Sequence, residues 1–349
     1  MQKKFVFKIV RNSLFFLTLV LLTFWLIFKD QNMIELFEII GSVNGICIML
    51  GILCMIVYFL IEAYNKKYLL HCLGQDVSIF KTLKFTLICY FFNGVTPASS
   101  GGQPMEIYYM SKENISVSNS TIVLFVQACG FLVSTICIGV VCELINPNIL
   151  PENLIWLFLL GVFVNCIPLS LVLICIFSPK LMIKIVNIII KILKKIGFKK
   201  IETKVDRINQ EIEKYNESSL YIKAHIDIFI KSVFRVFIQT SFYYLVPFFV
   251  FKAFGLNGYN VFQIFAMQAI LFCTTSGLPL PGAIGISEAM YLNIFTPVFG
   301  KKFIGSALIL NRGINFYWFI VVGLIIIIVS YIPIRSRKKT NLYNKDIDI

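Results

Sequence analysis

The chain alternates between long apolar runs and short polar connections, and the run lengths decide what they build. Apolar stretches near 38 to 61, 118 to 144, 152 to 177, 227 to 254 and 303 to 333 each reach about 20 residues or more. A helix rising about 1.5 Å per residue crosses a hydrocarbon core of about 30 Å with such a run. One more run, Ser13 to Phe28, follows the basic N-terminus MQKKFVFKIVRN. No small-residue cleavage site comes after it, since Lys29, Asp30 and Gln31 are next, so it reads as a retained signal-anchor helix. Two other apolar stretches, near 79 to 110 and 260 to 297, are interrupted midway by glycine and proline. Neither can be a simple helix. The pattern predicts an all-α polytopic membrane protein with six full transmembrane helices and two Gly/Pro-broken re-entrant hairpins.

Composition excludes the alternatives. Hydrophobic residues make up 58% of the 349 and charged residues 14%, against about 25% charged in an ordinary globular chain. The mean hydropathy is +0.82. A soluble protein of this size could not cover its exterior with so few polar groups. A β-barrel is excluded because its strands would alternate apolar and polar residues, whereas these runs are continuous. The net charge of +14 serves orientation and attraction to anionic headgroups, and no compact basic domain is left over to bind nucleic acid. The ten cysteines sit mostly inside apolar runs, form no CxxC pair and are accompanied by only two histidines, His71 and His225. They read as small hydrophobes, with no metal site.

The basic residues set the topology. Lys3, Lys4, Lys8 and Arg11, then Lys66, Lys67, Lys81 and Lys84, the dense segment Lys180 to Lys223, and Arg335 to Lys339 all mark cytoplasmic positions. The turn from Glu143 to Glu152 has no lysine or arginine and faces outward. Both termini are then cytoplasmic, in a multi-pass membrane protein. The stretch 79 to 110 must enter from and return to the cytoplasm, and 260 to 297 must do the same from outside. Lys252, Lys301 and Lys302 then lie outside, a mild departure from the rule. Read in order, the chain is span, span, broken hairpin, span, twice over. With three crossings in each half, the second half is inverted, giving one membrane domain with a first repeat over 1–150 and a second over 151–335. The second carries a basic cytoplasmic insert, 180–226, and a short tail follows at 336–349. Within the insert, Leu181 to Lys200 resembles a helix lying on the inner leaflet. The next segment, with Ile201, Val205, Ile208, Ile212 and Tyr215 spaced 4, 3, 4, 3, is an amphipathic helix.

The two breaks carry the most specific signal. The first reads NGVTPASSGGQPMEIYYM from Asn93 to Met110, the second TTSGLPLPGAIGISEAMYL from Thr274 to Leu292. Each has a glycine–proline break, further glycines, and a glutamate followed three residues later by tyrosine: Glu106 with Tyr109, and Glu288 with Tyr291. Glycine permits close approach, proline stops a helix, and the half-helix that follows points its dipole into the break. The pairing of a TP-x-x-x-GGQP-like break with a later P-x-PG-x-x-G-x-x-E break resembles the lysylphosphatidylglycerol synthase transmembrane family, over about residues 5 to 335. This family is the flippase part of the bacterial multiple peptide resistance factor and its stand-alone relatives. The resemblance implies a flippase or lipid-transport component for anionic or lysylated phosphatidylglycerol, contributing to surface charge and cationic peptide resistance. Members with a soluble domain make the lysyl lipid from lysyl-tRNA. Here the chain stops shortly after its last basic cluster, so that domain is expected to be absent and a separate synthase domain becomes a candidate partner. By the same analogy a homodimer is an expected assembly.

Polar residues at membrane depth supply the candidate lipid cavity: Gly101, Gly102, Gln103, Glu106 and Tyr109 from the first break, Pro281, Gly282, Gly285 and Glu288 from the second. Arg235, on one helix face with Asp227, Lys231 and Gln239, and Arg312, in LILNRGINFYWF, are the candidate phosphate-binding cations. The glutamates suit a headgroup ammonium. Glu62, beside Lys66 and Lys67, reads as an ordinary interfacial carboxylate. There is no GxxxxGK[ST], HExxH or GxSxG, so no catalytic residue, cofactor or metal is assigned. Two readings of other classes stay open: the membrane part of a phosphatidylglycerol lysyltransferase, and a secondary transporter of a small solute.

Overall fold

The computed structural model describes residues 38–96, 100–147, 149–151, 154–178, 184, 188, 205–277 and 285–329. Among these the secondary structure is helical throughout. The elements are α1 (Gly45–Cys72), α2 (Ile79–Val95), α3 (Gly102–Lys112), α4 (Val117–Ile145), α5 (Ile155–Phe177), α6 (Val205–Ala224), α7 (Ile226–Ala253), α8 (Val261–Ser276) and α9 (Ile286–Arg312). A π-helical turn, Gly313–Tyr317, carries α9 onward to Val329. Caps start several of them: the Asn44 side chain accepts from the Ile46 N–H, Ser116 from the Asn119 N–H, and Asn260 exchanges bonds with Gln263 in a full capping box.

Five helices are long and apolar enough to cross a membrane: α1, α4, α5, α7 and the continuous Ile286–Val329. Of the others, α6 is too polar and the hairpin arms are too short. The arms α2, α3 and α8 have 17, 11 and 16 residues, below the roughly 20 that a crossing needs. Contacts at their mouths show how they thread. Lys81 and Lys84, at the start of α2, lie 3.0 and 2.9 Å from Glu113 at the end of α3. The first hairpin therefore returns to the end it entered. Tyr259, just before α8, donates to the Pro297 carbonyl at 3.5 Å, and Phe299 packs on Phe251 and Phe254 from the end of α7. The second hairpin therefore also doubles back, and at the opposite end. Helices α1 and α7 run antiparallel between the two ends, with the Asn44 N–H on the Ala253 carbonyl (2.9 Å) and Asn65 Nδ2 on Ser232 Oγ (2.8 Å).

Gly300, with φ +66, divides Ile286–Val329 into a hairpin arm and a crossing helix, a backbone angle that only glycine adopts at no cost. This matches the expected end of the second hairpin near 297 and the last span from about 303. The second span differs. Expected over 38 to 61, it continues as α1 to Cys72, because Lys66 is not a loop residue: it is buried and ion-paired. The expected anchor helix at 13–28 and the basic cluster from Arg335 lie outside the described residues, as does the expected inner-leaflet helix over 181–200 except at 184 and 188. The amphipathic segment forms α6. It docks as a bracket under the bundle, with Tyr215 donating to the Cys175 carbonyl (2.9 Å), Ser219 to the Ile176 carbonyl (2.5 Å), and Glu211 accepting from Ser118 Oγ (2.6 Å).

Close backbone approach holds the second hairpin against α5. A Cβ on Gly161 would stand 2.7 Å from the Thr274 Cα and 2.8 Å from the Cys273 carbonyl, distances that no rotamer change relieves. Gly161→Ala should therefore destabilise the purified protein by about 1–3 kcal/mol, read as a lower Tm in detergent. Gly45→Ala, where nothing lies within 4 Å, should not lower it.

The first hairpin's mouth is pH-sensitive. Hydrogen bonds from Lys84 and then Lys81 hold the Glu113 carboxyl below the usual carboxylate range. A depressed carboxyl contributes stability above its unfolded pKa and loses it as pH falls through the folded one. The Tm difference between wild type and Glu113→Gln should be present at neutral pH and vanish toward the acid side. A difference that grew on acidification would contradict the pairing.

Candidate functional site

Between the hairpins lies a cavity of about 540 Å³. Both hairpins contribute to its wall, through Cys89, Gln103 and Glu106 of the first and Gln268, Thr275 and Tyr291 of the second. Helices α1, α4 and α7 supply Glu62, Lys66, Gln127, Gln239 and Tyr243, and α9 supplies Asn311 and Arg312.

One pole of the cavity is an ion triad. Lys66 Nζ lies 2.7 Å from Glu62 Oε1 and 2.7 Å from Glu106 Oε1, and 3.2 Å from Thr86 Oγ1. The lysine side chain is 2% exposed and that of Glu106 is 0%. A lone charge so deeply buried is costly; three in contact, with hydrogen bonds, sustain one another. Neutral amides extend the triad inward. Gln239 Nε2 donates to Glu62 Oε2 (2.9 Å), Gln127 Nε2 to Gln239 Oε1 (2.9 Å), and Asn65 Nδ2 to Gln127 Oε1 (2.7 Å). This ladder crosses α1, α4 and α7, so the charges are positioned by three helices at once.

Arg312 forms the other pole. Its Nε lies 2.8 Å from Glu288 Oε1, its Nη2 donates to Ser287 Oγ, and the guanidinium stands 5.6 Å from the Phe316 ring centre. Glu288 does not line the cavity. It stands behind Arg312, and its Oε2 accepts from the Gly285 N–H at 2.6 Å, where Gly285 has φ +94. The glutamate thus closes the start of α9 and fixes the arginine in one stroke. Around this pole, Gln268 Oε1, Tyr291 OH, Asn311 Oδ1 and Asn315 Oδ1 are buried and have no hydrogen-bond partner within the protein. All four residues line the cavity. Native interiors leave few such atoms, and among the described residues Glu106 Oε2 and Tyr244 OH are two more that belong to cavity-lining residues.

The sequence-derived candidates therefore divide. Gln103, Glu106 and Arg312 line the cavity. Gly101 and Gly102 build the first turn, donating to Thr96 Oγ1 (2.9 Å) and Asn93 Oδ1 (3.0 Å). A Cβ on Gly102 would lie 2.6 Å from the Cys89 carbonyl, so glycine lets α3 lie on α2. Tyr109 packs with the hydrophobic clusters beside the first hairpin, and its ring meets Tyr108 at 5.6 Å. Pro281 and Gly282 lie outside the described residues. Arg235 is not on the cavity wall; it stacks over Tyr68 at 4.0 Å and reaches Asn65 Oδ1 at 3.5 Å. Glu106, read as a carboxylate for a headgroup ammonium, is paired here with Lys66, a residue read as marking a cytoplasmic position. Glu62, expected at the interface, lies on the cavity wall. The signals for both were present: Glu62 and Lys66 stand four apart on one helix face, and glutamines 127 and 239 interrupt apolar spans.

Five long apolar helices, two short-armed hairpins entering from opposite ends and a charged cavity between them define an α-helical polytopic membrane protein. A family model described as "Lysylphosphatidylglycerol synthase TM region" matches residues 13–323, and the chain belongs to that family. It is also similar to a UPF0104 membrane protein of Archaeoglobus fulgidus, 23% identical over 319 residues, covering 89% of this chain and 94% of the relative.

The triad makes a stability prediction. Lys66→Met leaves two buried carboxylates facing each other and should cost roughly 3–5 kcal/mol, seen as a large fall in Tm. Adding Glu106→Gln to Lys66→Met should restore part of the loss, because the unpaired charge is removed with its partner. Absence of any rescue would argue against the triad.

Proposed function

We propose that the chain translocates a phosphate-bearing membrane lipid of the phosphatidylglycerol type, with or without a lysyl group, across the bacterial cytoplasmic membrane. The observation that carries this reading is the cavity: a fixed arginine surrounded by unpartnered amide and phenol groups at one pole, and carboxylates around an ammonium at the other. Arginine suits a phosphodiester oxygen. The carboxylate pole suits a headgroup amine where one is present. A volume of about 540 Å³ falls in the roughly 300–1,000 Å³ range of ligand sites; it accepts a headgroup while acyl chains stay in the hydrocarbon. Family membership supports the lipid class. The hairpins' opposite entry supports an inverted repeat, with both termini cytoplasmic by the distribution of lysine and arginine. On this reading the contribution to cells is surface charge and resistance to cationic peptides.

The test is leaflet accessibility in proteoliposomes carrying labelled phosphatidylglycerol, its lysyl derivative or a zwitterionic control. Arg312→Ala should slow exposure of the two phosphatidylglycerol lipids by about 10- to 100-fold, the loss of one hydrogen-bonded charge contact, while the protein stays folded. Wild-type rates in a folded Arg312→Ala protein would remove the phosphate role. New lysyl lipid in cells expressing this chain alone would instead favour lysyl transfer, and solute uptake with lipid asymmetry unchanged would favour a solute transporter.

A further inference from the structure

The charges at the cavity wall and directly behind it do not balance. Arg312 and Glu288 form a neutral pair. At the other pole two carboxylates, Glu62 and Glu106, share the single ammonium of Lys66, leaving one excess negative charge. The oxygens of the two carboxylates are not equally satisfied. Both oxygens of Glu62 are bonded, to Lys66 and to Gln239. Glu106 Oε1 is bonded to Lys66, but its buried Oε2 has no nitrogen or oxygen donor and faces only the weakly donating Cys89 thiol. The groups facing Glu106 are Lys66 and Glu62 from α1 and Cys89 from α2, with Tyr58, Tyr90 and Tyr243 on the same cavity wall. None of these brings a second positive charge.

An anionic phosphodiester entering this cavity would add a second negative charge to the same enclosed volume. We propose that Glu106 Oε2 takes up one proton as an anionic lipid phosphate binds near Arg312, and gives it up when the phosphate leaves, so that headgroup and proton cross together. The inference rests on the lipid-phosphate reading above. The balance is simple: one proton from water bonds to Oε2, no bond in the lipid breaks, and proton and monoanion leave on the far side with no net charge moved. A single open carboxylate oxygen suits a proton, whereas a hard metal cation needs several oxygen ligands. Glu106→Gln mimics the protonated form and leaves Lys66 paired with Glu62, so the variant should fold.

Two measurements separate this inference from the function it rests on. The first adds glycerophosphoglycerol, a headgroup phosphodiester without acyl chains, to the purified protein in weakly buffered detergent solution. Wild type should take up one proton per protein and Glu106→Gln none. The infrared carbonyl band of a protonated carboxylic acid should appear in the unmutated protein on the same addition. The second imposes a pH gradient on proteoliposomes containing labelled phosphatidylglycerol. One proton per lipid enriches the label in the leaflet facing the alkaline side, up to about tenfold per pH unit, and Glu106→Gln should abolish the enrichment. Lipid exchange without proton uptake and without enrichment would overturn the proposal and leave the lipid function standing. Glu106-dependent uptake without any lipid exchange would uphold the proton site and remove the lipid function. Uptake undiminished in Glu106→Gln, or enrichment driven by sodium and not by pH, would overturn the assignment.

Discussion

Hydrocarbon offers no partner to a polar group, so every charge and every broken stretch of backbone at membrane depth must be satisfied by the protein itself. Lys66 meets that constraint most directly. Its bonds to Glu62, Glu106 and Thr86 tie α1 to both arms of the first hairpin, and the amide ladder behind Glu62 carries the tie to α4 and α7. The first hairpin has arms too short to cross, and its Lys81 and Lys84 contacts with Glu113 lie at the mouth. Buried ionic bonding partway along its arms and more exposed pairing at the mouth together hold it as a hairpin.

The two breaks solve the same backbone problem with different chemistry. In the first, neutral side chains do the work: Thr96 and Asn93 accept the N–H groups of Gly101 and Gly102, which leaves Glu106 available to Lys66. In the second, the glutamate itself accepts the Gly285 N–H while holding Arg312. The equivalent-looking Glu-x-x-Tyr motifs therefore have unequal roles. Glu106 faces the cavity, and Glu288 supports a cation that faces it. Their tyrosines diverge in the same way, Tyr291 on the cavity wall and Tyr109 packed with hydrophobic neighbours.

Most of the architecture was legible because apolar run length and Gly/Pro interruption act locally. The long spans, both hairpins and the division near residue 300 follow from them. What could not be read was pairing, which depends on which helix faces which. Lys66 looked like an orienting loop lysine because positive charge near a span end is normally solvated; two carboxylates from different elements keep it buried and extend α1 past it. Arg235 looked like a cavity residue because it shares a helix face with Gln239, yet four residues turn its side chain toward Tyr64 and Tyr68 instead. Helical periodicity places a face; it does not say which stretch of that face reaches the cavity. Asn311 and Asn315 escaped notice beside Arg312, although both line the cavity where α9 passes into the π-helical turn.

Why the two poles do not collapse onto each other follows from the supports behind them. A mobile arginine in a cavity with two carboxylates would bond them and close the space. Arg312 is already held by Glu288 and Ser287 on the side away from the triad, and stacked near Phe316. Its planar fork is thereby fixed before any ligand arrives. Lys66 and Gln239 similarly occupy both oxygens of Glu62, and Lys66 holds one oxygen of Glu106, so only Glu106 Oε2 stays open. Each pole is satisfied locally except at the cavity surface, where the unpartnered amide, phenol and carboxylate oxygens remain. On the proposed lipid-transport reading, preorganisation of this kind would let a headgroup form new bonds without first breaking ion pairs, keeping the cost of entry low for a site that must also release what it binds.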